Sequence, residues 1–312
     1  MPVVLFYSDN NDAPGDWEKA LGAHVADLDF RAGADRIGDP AEIDFALVWA
    51  PPPGLLARCV NLKAIYGLGQ GVDHIFADPQ LPADVPLLRI VDPWMSQAMS
   101  EWCLMHVLRY HRQGPEYAAI AAAKAWTKLP FPDTAKRRVG IMGLGALGGD
   151  LAAKLVGLGF DVRGWSRSAK TLDGVTSYHS AEGLADFLAA SEIVVNLLPL
   201  TRDTRDLMDA GVFAAMPAGG FVINAGRGAT IVEEDLLAAV QSGQIAGAAL
   251  DVFRTEPLPQ EHPFWDEPRI EIWPHVAAQT NPETAIRQIA DNIHRITAGQ
   301  PPVNQVDFSR QY

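Results

Sequence analysis

RRVGIMGLGALG (residues 137–148) decides the fold. Its first half is a short β run, and its second half spells G-x-G-x-x-G and opens the helical stretch Ala146–Leu158. A glycine hexapeptide alone carries little information, but strand, hexapeptide and helix in immediate succession make a dinucleotide-binding turn. Gly143 permits the tight turn, Gly145 lets the backbone approach a pyrophosphate, and Gly148 lets the helix pack close to its sheet. The N–H groups of the helix start, at Ala146 and Leu147, are then offered to phosphate charge.

The next strand, Asp161–Trp165, runs into WSRSAK (residues 165–170). A fold of this kind that binds NAD presents Asp or Glu at that strand end to the ribose diol. Here Ser166 takes the place, followed by Arg167, Ser168 and Lys170. Without the acid there is no repulsion of a 2′-phosphate, and the following side chains are donors to its oxygens. The bland alternative is a solvated basic loop. The missing acid favours NADP(H) over it, with NAD(H) still possible.

Outward from this turn the chain alternates short β runs with amphipathic helices, the pattern of parallel α/β sheets. Upstream, Val3–Tyr7, Phe45–Trp49 and Leu62–Gly69 read as buried strands. PPPG (residues 51–54) is turn chemistry opening a short helix. A long, mostly apolar stretch runs from Met99 to about Ala125, interrupted at Gly114–Pro115, and so apolar a segment needs burial in a core or against another subunit. Downstream, strands are expected at Ile193–Leu197, Gly220–Asn224, Ala246–Leu250 and Ile270–Trp273, and a helix at Pro282–Thr297. The expectation is two Rossmann-like or flavodoxin-like parallel-sheet domains with an active-site cleft between them. One is discontinuous, residues 1–97 plus 279–312, for substrate; the other, residues 98–278, is the dinucleotide domain.

Composition narrows the function classes. With 312 residues, 48% hydrophobic and 20% charged, the chain is long enough for two domains and ordinary for a soluble protein. Its net charge of −13 argues against a nucleic-acid surface but leaves room for a local anion pocket. The two cysteines form no CxxC, the N-terminus lacks a signal-peptide pattern, and no apolar run is long enough to span a membrane. The expected setting is the cytoplasm. His106 and His111 are five apart, off the helix-face spacing of paired metal ligands, so no metal site is expected.

Three strand ends in the second half carry reactive side chains: Arg227 in INAGRGATIVEEDLL (residues 223–237), Glu256 in ALDVFRTEPLP (residues 249–259) and His275 in WPHVAAQT (residues 273–280). Ligands of open α/β sheets bind beyond the carboxyl ends of strands, where the three side chains would converge. Each has a plain structural alternative when taken alone: a solvated Arg, a surface Glu, a structural His. Their joint occurrence in a dinucleotide fold outweighs these alternatives.

GLGALG, NAGRG, DVFRTEPLP and PHVAAQT, in that order, resemble the motifs of the D-2-hydroxyacid dehydrogenases across most of the chain. ALVWAPP (residues 46–52), LGQGVD (residues 68–73), VEEDLLAA, HPFW and the terminal QVDFSRQY extend the resemblance to the glyoxylate/hydroxypyruvate reductase branch. The resemblance implies an Arg–Glu–His catalytic set on Arg227, Glu256 and His275. Reducing a 2-oxo acid requires a proton at the carbonyl oxygen, which an imidazolium at His275 would supply. Glu256 would stabilise the charged ring, and Arg227 would bind the substrate carboxylate or polarise the carbonyl. Backbone N–H groups of Gly69, Gln70 and Gly71 are candidates for further carboxylate contacts. Trp49 is either a pocket wall or core.

The resemblance also implies cofactor contacts at Leu198, Pro199, Thr204, Ala225 and Asp251, and a homodimer through the cofactor domain. One segment departs from the family pattern: in VDPWMSQAMSEW (residues 91–102) Glu101 fits, but Trp94 and Met95 do not, so no cofactor contact is assigned there. The leading expectation is NADPH-dependent reduction of glyoxylate and hydroxypyruvate. The competing ones are NAD-dependent oxidation of another 2-hydroxy acid such as 3-phosphoglycerate, and a cofactor-sensing binding protein like the corepressors that reuse this fold.

Overall fold

Apolar runs bounded by turn residues become buried parallel strands in both halves of the chain. The computed structural model describes residues 1–10 and 12–312. These residues fall into two units, Met1–Met95 with Gln279–Tyr312, and Ser96–Ala278.

The first unit contains β1 (Val3–Ser8), α1 (Pro14–Gly22), β2 (Asp29–Ala32), β3 (Phe45–Trp49), β4 (Ala64–Gly67), α2 (Asp73–Phe76) and β5 (Leu87–Leu88). Its sheet runs β2-β1-β3-β4-β5, all parallel, the flavodoxin-like order. Strand side chains alternate between two cores: Val4 and Phe6 lie on one face, Val3 and Leu5 on the other. PPPG leads into a single 3-10 turn, Leu56–Arg58, rather than a full helix.

The second unit opens with α3 (Pro93–His111), whose first residues belong to the first unit, and α4 (Gly114–Ala122). It continues through β6 (Arg138–Met142), α5 (Ala146–Gly157), β7 (Asp161–Ser166), β8 (Val175–His179), α6 (Glu182–Ala189) and β9 (Ile193–Asn196). Then come α7 (Ala210–Ala215), β10 (Gly220–Asn224), α8 (Glu233–Ser242), β11 (Ile245–Leu250) and β12 (Ile270–Ile272). The seven-stranded sheet is ordered β12-β11-β10-β9-β6-β7-β8 and is parallel throughout. This is the doubly wound nucleotide topology, with its switch point between β6 and β9. The helices α3 and α5 cover one face and α6, α7 and α8 the other.

The chain then returns to the first unit with α9 (Pro282–Thr297), capped by Asn281, whose Oδ1 accepts from the Glu283 N–H at 3.0 Å. Its buried Ala285, Ile286, Ile289, Ala290 and Ile293 recur at helical spacing and join the core against α1.

The apolar stretch expected from Met99 to about Ala125 needs one correction, at its start. Its helix starts six residues earlier, at Pro93, where Asp92 accepts from the Trp94 N–H at 3.0 Å. Only α3 is buried within the chain; α4 has no buried residue, because nothing of its own unit covers it. Three strands escaped the reading: β2 and β5 are short, and β8 is an edge strand with no buried side chain. No helix among the described residues is long and apolar enough to cross a membrane.

Candidate active site

The glycine turn sits at the carboxyl end of β6, at the switch point. Gly143 takes φ +100°, which favours glycine, and its N–H donates to the Trp165 carbonyl at 2.8 Å. A Cβ there would lie 3.0 Å from the Leu197 carbonyl at the end of β9. A Cβ at Gly148 would collide with the Gly143 carbonyl, so α5 approaches the turn as only glycine allows. Gly145 is the N-cap of α5 and makes no side-chain cap, which leaves the first N–H groups, at Ala146, Leu147 and Gly148, for an anion. This cradle fits a pyrophosphate.

One strand further, β7 ends at Ser166, which is buried; its Oγ donates to the Ser168 carbonyl at 2.8 Å. Arg167, Ser168 and Lys170 follow, all exposed. No carboxylate stands at the strand end, and the donor set fits a phosphate monoester better than a ribose diol.

The three reactive residues all belong to the second unit. Arg227 follows β10 in extended conformation and leads a 3-10 turn, Gly228–Thr230. Its Nη1 donates to the Gly226 carbonyl at 2.9 Å. A Cβ at Gly228 would collide with the Phe253 carbonyl, so the Arg227 turn lies directly on the segment that carries Glu256. Glu256 Oε1 accepts from the Phe253 N–H at 2.8 Å, and Oε2 lies 2.8 Å from His275 Nδ1. Burial pushes the Glu256 carboxyl up. The hydrogen bonds from His275 and Phe253, with the charges of His275 and Arg227, outweigh it and leave the group below its ordinary value. Arg227, Glu256 and His275 are thus brought into one electrostatic cluster.

His275 has φ +55°, uncommon for a residue other than glycine, and its surroundings hold it there. Its N–H donates to the Asp251 carbonyl at 2.9 Å. The Asp251 carboxylate accepts from the N–H groups of Val276 at 2.8 Å and Ala277 at 2.9 Å. Burial raises the Asp251 carboxyl above its usual range against those two bonds. Asp251, expected as a cofactor neighbour, therefore also fixes the turn that presents His275.

The remaining expected residues are placed as follows. Leu198 and Ala225 are buried at the ends of β9 and β10. Thr204 folds its hydroxyl into its own loop, donating to the Pro199 carbonyl at 2.6 Å and accepting from the Thr201 N–H at 2.8 Å. In the first unit, Trp49 ends β3 and packs on His74 with ring centroids 4.2 Å apart. A Cβ at Gly69 would lie 2.7 Å from the Trp49 ring, and Gln70 and Gly71 follow, half-buried.

Sequence reasoning missed Asn196, Asn224 and Thr230, all fully buried behind Arg227. A signal was available: in VVNLL and VINAG an Asn ends an otherwise apolar β run, a polar residue where the pattern calls for core. His74, against Trp49, carried no comparable signal.

Comparison with known proteins places this geometry. Residues 104–277 match the family model described as D-isomer specific 2-hydroxyacid dehydrogenase, NAD binding domain. The chain is 44% identical to the glyoxylate/hydroxypyruvate reductase A of Serratia proteamaculans over 99% of both chains. It is similar in structure to a D-isomer specific 2-hydroxyacid dehydrogenase from Xanthobacter autotrophicus solved with NADPH and MES, at TM-score 0.94, 45% identity and full coverage of both chains. An NADPH-dependent glyoxylate/hydroxypyruvate reductase from Sinorhizobium meliloti, solved with NADP and sulfate, matches at TM-score 0.93 and 39% identity, again over the whole of both chains.

Proposed function

The chain belongs to the D-isomer specific 2-hydroxyacid dehydrogenases, and from that premise we propose that it reduces small 2-oxo acids with NADPH, glyoxylate to glycolate and hydroxypyruvate to D-glycerate. The observation that carries the reading is the Glu256–His275 pair at 2.8 Å, with the charge of Arg227 acting on Glu256, in the same unit as the glycine cradle. Two of the three relatives named above, those from Serratia and Sinorhizobium, bear the name glyoxylate/hydroxypyruvate reductase and support it.

Gly143, Gly145, Ala146, Leu147 and Gly148 would hold the pyrophosphate of the cofactor, and Ser166, Arg167 and Ser168 its 2′-phosphate. Leu198, Pro199, Thr204, Ala225 and Asp251 complete the proposed cofactor set. When bound, NADPH supplies the hydride for the carbonyl carbon. Arg227 binds the substrate carboxylate and orients the carbonyl. His275 delivers the proton from Nε2 to the carbonyl oxygen, because Nδ1 is turned to Glu256. Glu256 stays ionised and stabilises the charged ring until the proton leaves. As further substrate contacts the proposal takes Trp49 and the backbone N–H groups of Gly69, Gln70 and Gly71.

A homodimer through the second unit belongs to the same reading, supported by exposed Met105, Leu108, Tyr117, Trp126 and Phe131 on and after α3 and α4. A reducing cytoplasmic setting is supported by two free, buried cysteines, Cys59 and Cys103. The test is NADPH consumption by the purified protein. Oxidation that depends on glyoxylate or hydroxypyruvate, and is faster with NADPH than NADH, is the expected result. Cofactor binding without substrate-dependent turnover would sink the enzyme reading.

A further inference from the structure

Behind Arg227 three uncharged polar side chains are completely buried at the ends of two central strands. Asn196 ends β9 and Asn224 ends β10; Thr230 closes the 3-10 turn after Arg227. Asn196 Nδ2 donates to Asn224 Oδ1 at 3.0 Å and to Thr230 Oγ1 at 2.7 Å. Its Oδ1 accepts from the Leu198 N–H at 3.1 Å, which fixes the orientation of the amide. Asn224 Oδ1 accepts from the Gly226 N–H at 3.2 Å, and its Nδ2 donates to the Arg227 carbonyl at 3.2 Å. The Thr230 hydroxyl donates to that same carbonyl at 2.6 Å.

Satisfying local backbone is too small a task for this arrangement. Buried polar side chains cost stability unless fully paired, and apolar residues of similar shape can replace a paired set at little cost. Neighbours on the same strands, Val195 and Ile223, are apolar. Yet two of the three, Asn224 and Thr230, donate to one carbonyl, that of a half-exposed arginine, and Asn196 holds both of them. The chain of contacts reaches the charge itself: Asn224 holds the Gly226 N–H, and the Gly226 carbonyl accepts from Arg227 Nη1. Gly226 in turn lies flat on the β9 end, where a Cβ would come 2.7 Å from the Leu198 carbonyl.

We propose that Asn196, Asn224 and Thr230 are positioning residues for Arg227, a closed hydrogen-bond network that sets the angle of its guanidinium for a substrate carboxylate. The network ties that angle to Leu198 at the end of β9. This rests on the carboxylate-binding role given to Arg227 above.

The test is a double-mutant cycle of Thr230→Val with Arg227→Lys, with Thr230→Ser as the conservative variant. Oxalate, as a dicarboxylate probe, is titrated calorimetrically into the NADP-loaded protein; NADPH affinity, glyoxylate kcat and KM, and melting temperature are measured alongside. Thr230→Val, which keeps the shape and removes the hydroxyl, should weaken oxalate by about 10-fold or more. It should lower glyoxylate kcat/KM by up to roughly 10²-fold, as a misplaced catalytic group does. NADPH affinity should stay within about 2-fold, and Thr230→Ser should restore oxalate binding. In the Arg227→Lys background the same change should add little, because residues acting through one group are not additive.

Full multiplication of the two losses would overturn the proposal. So would equal loss of NADPH and oxalate affinity, or unchanged oxalate binding in Thr230→Val or in Arg227→Lys. If Thr230→Val does not fold, Thr230→Ala, with space for a water at the hydroxyl position, goes through the same cycle, and the same outcomes support or overturn the network. A wild type that binds oxalate but does not consume NADPH with glyoxylate defeats the proposed activity, while the oxalate cycle still decides the network.

Discussion

Two loops leave the carboxyl edge of the seven-stranded sheet and are built in opposite ways. The loop after β10, residues 225–230, turns its polar groups inward, and the Asn196–Asn224–Thr230 network pairs them beneath Arg227. The loop after β7, residues 167–170, turns its donors outward: Arg167, Ser168 and Lys170 are exposed, and Ser166 ties its base. The contrast follows from what each loop does in the proposed reaction. A group that orients a reacting carbonyl gains from being fixed beforehand, since freezing it during the reaction would raise the barrier. A group that selects a cofactor has only to be there with a free donor, and water holds it until the phosphate arrives.

The ordered side of this comparison can be broken at His275, where the largest effect is expected. His275→Ala removes the proposed proton donor, which Glu256 and Asp251 hold in place, and kcat with glyoxylate should fall by about 10²–10⁴-fold. NADPH affinity should be nearly unchanged. Turnover that survives the substitution would mean that the proton comes from elsewhere. The open side is tested by Arg167→Asp, which restores an acid next to the strand end. The NADPH-over-NADH preference should drop by roughly 10- to 100-fold, the worth of a charge-assisted phosphate contact. Initial rates with both cofactors decide it. Equal changes for the two would show that the loop does not read the 2′-phosphate.

How much of this was legible in the sequence differs between the same two regions. The β7 loop could be read almost directly, because its character lies in residue types at one strand end and needs no tertiary partner. Arg227, Glu256 and His275 were legible as positions, each marked by a strand end. Their support was not. The Asp251 carboxylate reaches residues 25 and 26 positions away, and Asn196 reaches Thr230 across 34. Such pairings are created by sheet order, which places β9 beside β10, and local periodicity carries no record of it. The buried central strands were found because apolar runs mark them. Strand β8 was lost because edge strands keep polar, exposed side chains that resemble loop.

A smaller effect is expected from pH at the Glu256–His275 pair. The Glu256 carboxyl lies below its ordinary value in the folded chain. The unfolded chain therefore takes up the proton first as pH falls. The pair's stabilisation is fully present above the ordinary carboxylate range and is lost as pH drops through the depressed value. Melting curves of wild type and Glu256→Gln should differ near neutral pH and converge in strong acid. A difference that grows on acidification would reverse the sign and remove the carboxylate from this role.

The smallest effect belongs to the open loop. Arg167→Ala and Lys170→Ala remove exposed side chains from a segment whose anchoring bond, Ser166 Oγ to the Ser168 carbonyl, is left in place. Stability without cofactor should change by less than about 0.5 kcal/mol, the usual result for surface positions. With saturating NADPH the variants should gain less melting temperature than wild type, because a ligand stabilises the folded chain in proportion to the logarithm of its affinity. With NADH the gain should match wild type. A loss of stability in the cofactor-free variants would mean that the loop is held by its own side chains, and the contrast with the Arg227 loop would disappear.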